Sequence, residues 1–209
     1  MIPPWHSLLL FMAAGLALNV TPGPDMLYVA ARSASEGRAA GIVSALGIAT
    51  GTLFHISAVA LGLSALLATI PVAYTAIRIG GAMYLIYLGI RAIASHVADR
   101  PSPIRRASLP TIFRQGVITN VLNPKVALFF LAFLPQFVDP ARGEPALQIV
   151  VLGLIFDTSG TIVNFAVAVG ASGATGRARV NKRVSGILHK LTGVIFIGLG
   201  LRIAVASYR

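Results

Sequence analysis

The chain has 209 residues, of which 56% are hydrophobic and only 11% charged, with a mean hydropathy of +0.82. Soluble domains carry roughly 25% charged residues, so a soluble globular domain is excluded and a single all-α integral membrane domain over 1–209 is expected. The formal charge of +11 does not indicate nucleic acid, because the basic residues sit in short loops without the interleaved aromatics of a single-strand platform; such loops meet anionic lipid headgroups.

Cysteine is absent, which excludes a disulfide, a thiol relay or a thiolate metal site within the chain. No metal and no cofactor are expected. The N-terminal stretch up to His6 has no positive charge ahead of the first apolar run, so that run is expected to stay as a span rather than to be cleaved as a signal peptide.

Six apolar runs follow in order, at about 7–31, 40–68, 72–95, 112–137, 146–171 and 185–206, each long enough for a membrane helix of ~20 residues. The loops between them are Arg32 to Arg38, Thr69 to Pro71, a polar linker at 96–111, Asp139 to Glu144 and Arg177 to Arg183. Lys and Arg concentrate in the first, third and fifth loops. By the positive-inside rule these loops are cytoplasmic and both termini face the other side.

The first run contains Gly15-Leu-Ala-Leu-Asn19-Val-Thr21-Pro22-Gly23-Pro24-Asp25. Pro22 and Pro24 lack an N–H and their rings collide with carbonyls one turn back, while Gly23 is expected to allow backbone angles other residues resist. The fourth run repeats the device in Gly116-Val-Ile-Thr-Asn120-Val-Leu-Asn123-Pro124-Lys125. Interrupted backbone at membrane depth is tolerated only against protein or a water-filled cavity. Both stretches should therefore line a cavity.

The echo between the halves extends to Leu88-Gly89-Ile90-Arg91 and Leu199-Gly200-Leu201-Arg202. Three spans per half give two inverted three-helix repeats, at about 7–95 and 112–206, with the first and fourth helices broken at proline. Folds of this kind carry their substrate site at the midplane. Gly47 with Gly51, and Gly153 with Gly160, are spaced for close helix packing.

Ionisable groups inside apolar spans cost roughly 2.5–3.5 kcal/mol each on insertion scales, and Asp25, His55, Lys125 and Asp157 fall there. Lys125 opens a resumed half-helix, where the helix dipole disfavours a cation; it suits a substrate carboxylate, or an ion pair with Asp25 or Asp157. Asp25 suits a helix-start acid, a substrate ammonium or a proton. Asp157 shares a small, polar helix face with Gly153, Gly160, Thr161 and Asn164, as a cavity-lining proton or cation site would.

His55 reads as an interhelical hydrogen bonder with a secondary claim as proton relay. Asn19, Thr21, Asn120 and Asn123 can satisfy carbonyls freed by the breaks or offer polar groups to a zwitterion. An intramembrane protease is not indicated, since neither aspartate lies in a G-x-G-D context and no Ser/His arrangement is evident.

On these residues the chain resembles the LysE-type amino-acid exporters, particularly the homoserine/threonine (RhtB) branch. The likeness is carried by Asn19 to Asp25, Gly37-Arg-Ala-Ala-Gly41 leading into Ala45 to Gly51, Gly81 to Gly89, Asn120 to Lys125, Phe130 to Phe137 and Gly198 to Arg202. The resemblance implies a bacterial inner-membrane secondary transporter, not an enzyme, that exports amino acids by proton antiport. Its signature positions correspond to Pro22, Gly23, Pro24, Asp25, Asn123, Pro124 and Lys125. A neutral substrate such as threonine, homoserine or a leucine-like amino acid fits best, with another small solute or a passive channel as the alternative. Expected partners are the amino acid, protons and the lipid bilayer, with homo-oligomerisation left open and no nucleic acid.

Overall fold

The computed structural model describes residues 4–62 and 106–172, the backbone of 63–69, and scattered helical positions between 79 and 94 and between 187 and 201. The sequence features at Ile70 to Pro71, 95–105, Arg177 to Arg183 and the ends of the third and sixth runs lie outside the described residues, and so do the flanking Leu88, Leu199 and Arg202.

Every element among the described residues is helical. The chain forms α1 (Trp5–Val20), α2 (Pro24–Glu36), α3 (Arg38–Thr69), α4 (Leu109–Val121), α5 (Pro124–Leu128) and α6 (Pro145–Ser172). α3, over Arg38–Gly62, and α6 are each long and apolar enough to cross a membrane. α1 and α2 meet at a 47° bend, and α4 meets the stretch Pro124–Phe137 at 45°; each bent pair also qualifies if taken as one span. Phe54, Leu61, Leu122 and Ile162 are large, apolar and well exposed, as lipid-facing side chains are.

The bends fall where the prolines are. α1 ends as Thr21 turns extended, and α2 starts at Pro24, a position where a missing N–H costs nothing. α5 starts at Pro124, with Asn123 Oδ1 accepting from Lys125 N at 3.0 Å as an N-cap. Gly23 corrects an expectation: its φ of -152° and ψ of -176° are ordinary extended backbone. The close approach at this position is to Lys125, whose Nζ lies 3.0 Å from an added Cβ.

Helix α2 also runs beyond the sequence boundary at residue 31, because Arg32 and Glu36, one turn apart, form an ion pair on its last turn. It stops at Gly37, whose φ of 91° favours glycine. Past α5 the helix widens into a π-helical turn at Phe129–Phe133 and tightens into a 3-10 turn at Leu134–Phe137. Pro135 is the cause: it cannot donate to the preceding turn, and Gln136 Nε2 compensates by donating to Ala132 O at 2.6 Å.

Glycines set the helix crossings. A Cβ on Gly47 would lie 2.3 Å from Phe113 O, and one on Gly116 would lie 2.8 Å from Ser44 O, so α3 and α4 touch backbone to backbone. Gly51 meets Asn120 one turn further along. Elsewhere α1 meets α6 in the same stride: Gly15 stands against Phe156, and Asn19 against Gly160. The outer helical segments cross where Gly193 approaches Gly89 O (2.6 Å from its added Cβ) and Gly200 approaches Ala82 O (2.7 Å).

The two ends of the described core differ in chemistry. At the α2 terminus Arg32 pairs with Glu36, donates to Gln115 Oε1 at 2.6 Å and lies over the Tyr28 ring. Ala107 N closes on Glu36 Oε2 at 2.8 Å. Tyr28 donates to Ile112 O at 2.8 Å. The other end is aromatic: Phe11, Phe129, Phe133 and Phe137 interlock with centroid separations of 4.8–6.1 Å.

Candidate functional site

Between α1, α2, α3, α4, α5 and α6 lies a cavity of about 20 Å³. That is space for roughly one water and far too little for an amino acid. Its polar lining is Asn19, Asp25, Thr52, Asn120, Asp157, Thr161 and Asn164; Ile48, Val126, Phe156 and Gly160 complete it. The structure thus brings together Asn19, Asp25, Asn120, Asp157 and Asn164 from distant parts of the chain.

Each carboxylate has its own surroundings. Asp25 sits in the first turn of α2, where free N–H groups and the helix dipole favour an anion. Its Oδ2 accepts from Asn120 Nδ2 at 2.8 Å. The Asn123 amide and the Lys125 ammonium are close enough to act on the same carboxylate, yet Asp25 Oδ1 and Asn123 Nδ2 are buried without a hydrogen bond of full geometry. Asp157 stands in the middle of α6, away from either helix end. The Thr52 hydroxyl is within reach of it and also lies 3.2 Å from Ile48 O and 3.4 Å from Asn120 Oδ1.

Lys125 lies outside the cavity lining. Its Nζ crosses to the end of α1 and donates to Leu18 O and Thr21 O, each at 2.9 Å. A helix C-terminus carries partial negative charge, so the ammonium sits where it is favoured, and no carboxylate lies within ion-pair distance of it among the described residues. Thr21 Oγ1 donates to Ala17 O at 2.6 Å in its own helix. Pro22, Gly23, Pro24 and Pro124 shape this junction and do not face the cavity.

The remaining amides divide their work. Asn19 Nδ2 reaches across to α6, donating to Phe156 O at 3.2 Å and Ser159 Oγ at 3.0 Å. His55 Nε2 sits 3.1 Å from Asn120 O and its ring stacks on Phe130. Of the freed carbonyls, then, Thr21 and Lys125 take some, while Asn19, Asn120 and Asn123 bond elsewhere.

Sequence reasoning did not single out Ile48, Thr52, Val126 or Phe156. A signal for Thr52 existed: α3 and α6 both carry Gly-Thr with a polar residue three positions on, Gly51-Thr52 with His55 and Gly160-Thr161 with Asn164.

An apolar helical body here turns amides and carboxylates inward around space for about one water. The chain belongs to the LysE type translocators, whose family model matches residues 16–207. It is 31% identical to the uncharacterized membrane protein YrhP of Bacillus subtilis, over 94% of this chain and 98% of that protein. It is 25% identical to the leucine efflux protein of Salmonella typhimurium, over 93% and 92% respectively. No solved structure matches.

Proposed function

We propose that the protein is a six-helix secondary transporter that exports neutral, leucine-like amino acids across the bacterial inner membrane by proton antiport. In this reading it alternates access at the cavity between its two broken helices. The observation that carries the reading is the shared register of the two halves around that cavity. Gly15 and Asn19 against Phe156 and Gly160 mirror Gly116 and Asn120 against Gly47 and Gly51. The same register pairs Thr52 with Thr161, His55 with Asn164, Ile48 with Asp157 and Asp25 with Val126.

The outer segments obey it too, since Gly193 on Gly89 becomes Gly200 on Ala82 when the halves are exchanged. Such correspondence is what an inverted repeat produces. It also supports the RhtB-like arrangement, with odd loops cytoplasmic and both termini outside.

The leucine efflux relatives and the apolar Ile48, Val126 and Phe156 in the lining favour an aliphatic side chain. In this scheme the cavity amides take the substrate carboxylate, and Lys125 ties the two junctions together. A channel is disfavoured because the space between the polar and aromatic ends holds about one water. Reconstituted vesicles loaded with single amino acids, with and without a pH gradient, test the proposal. Uphill, gradient-dependent efflux of leucine-like substrates is expected; downhill leakage indifferent to the gradient would reject it.

A further inference from the structure

We propose that Asp157 is the exchange site itself, holding either a proton or the substrate ammonium and never both. This rests on the export reading above and assigns its coupling to one side chain. The two carboxylates border the same cavity but differ in what surrounds them. Asp25 is held by the α2 N-terminus, by Asn120 Nδ2 at 2.8 Å and by the field of Lys125. The Asn120 contact engages Oδ2, while Oδ1 is buried without a hydrogen bond.

Asp157 has none of these. It lies mid-helix, where the backbone N–H groups are already used, and the neighbouring Thr52 hydroxyl is shared with Ile48 O and Asn120 Oδ1. An ionised carboxyl at such a place needs a cation or a donor from outside the protein. A proton meets that need when the cavity is empty, and an ammonium meets it when the cavity is filled.

The repeat strengthens the assignment. The position matching Asp157 in the other half is Ile48, which lines the same cavity. The helix pair therefore packs with an aliphatic side chain there, and the carboxyl is not required by the fold.

The other titratable groups around the cavity are already engaged. Asp25 on α2 binds Asn120, Lys125 on α5 binds the α1 carbonyls, and His55 on α3 binds Asn120 O. Arg32, further along α2, pairs with Glu36.

The exchange balances: a protonated Asp157 releases its proton to cavity water as the ammonium arrives, leaving a carboxylate–ammonium pair. On the far side the ammonium departs and a proton returns to the same oxygen. Proton and substrate therefore compete, and competition at one group is sufficient for antiport.

Calorimetric binding of leucine in nanodiscs, in buffers of different ionisation enthalpy and across a pH series, tests this. Wild-type protein is expected to release about one proton per leucine at low pH, with affinity falling as pH falls. D157N should bind at least about tenfold more weakly, with no proton release and a flat pH profile. D157E should restore competition with a shifted midpoint, and D25N should keep proton release on whatever binding survives. Wild-type pH dependence persisting in D157N, or vanishing in D25N alone, overturns the assignment. If wild-type protein binds no amino acid of a full panel at any pH, the export reading fails and the assignment falls with it.

Discussion

At the scale of single residues, the most informative side chain is Lys125. Its neighbours in sequence place an ammonium at the start of a half-helix, against the dipole. In space the four-carbon stem carries the charge to the opposite pole, the C-terminal carbonyls of α1. Sequence spacing could identify the residue and its break but not this reach, because the partner lies more than a hundred positions away.

Gly23 makes the same point: its backbone angles are unremarkable, and what is special is its closeness to the Lys125 ammonium, 3.0 Å from an added Cβ. Lys125→Met withdraws the donors from Leu18 O and Thr21 O. Leu18 O keeps its bond from Thr21 N at 3.2 Å, so the loss is that of two charge-assisted hydrogen bonds, each contributing about 1.5–3 kcal/mol. Thermal unfolding in detergent should show a clear loss of stability, and wild-type stability in that variant would mean the junction is held by something else.

Among elements, the helix crossings are governed by absent side chains. α3 and α4 approach so closely that a methyl group on Gly47 would meet Phe113 O, a backbone atom that cannot move aside. Gly47→Ala should therefore cost about 1–3 kcal/mol by overpacking. Gly170→Ala, on α6 with nothing near its added Cβ, should be neutral or stabilise by up to about 1 kcal/mol. Unfolding midpoints of the two variants check the contrast, and equal effects would contradict it.

Much of this level was legible. The G-x-x-x-G spacing, the polar stripe around Asp157 and both proline breaks could be read from residue order, since each is a local pattern. The change of helix geometry at Phe129–Phe137 was not, because a lone Pro135 in an apolar run does not say whether the helix bends, widens or ends. Nor was the role of Gln148, which is buried and fastens the Asp139–Gly143 turn through contacts at 2.8–3.2 Å. A polar residue near the start of α6 looks like any loop-facing amide until its partners are known.

For the whole molecule, two interrupted helices contribute to one small polar space, with an ion-paired cluster at one end of the described core and interlocked phenylalanines at the other. The proposed repeat rests in the sequence on a likeness of motifs. Its register was not readable there, because Gly47 and Phe156, or Ile48 and Asp157, share no chemistry and are equated only by what they touch.

On the proposed repeat each carboxylate occurs once, with Ile48 and Val126 in the places that match Asp157 and Asp25. A cavity of about 20 Å³ must enlarge to admit an amino acid, so transport in this account requires the proposed halves to move apart at one end at a time.

Because the native chain lacks cysteine, a single introduced thiol reports on that space directly. Thr161→Cys places one in the cavity lining. In membranes its alkylation by a small maleimide should be slowed severalfold by saturating leucine or another transported amino acid, while Ile162→Cys, facing lipid on the next position, should be unaffected. Alkylation of Thr161→Cys at the same rate with and without any transported amino acid would contradict the claim that the substrate occupies this cavity.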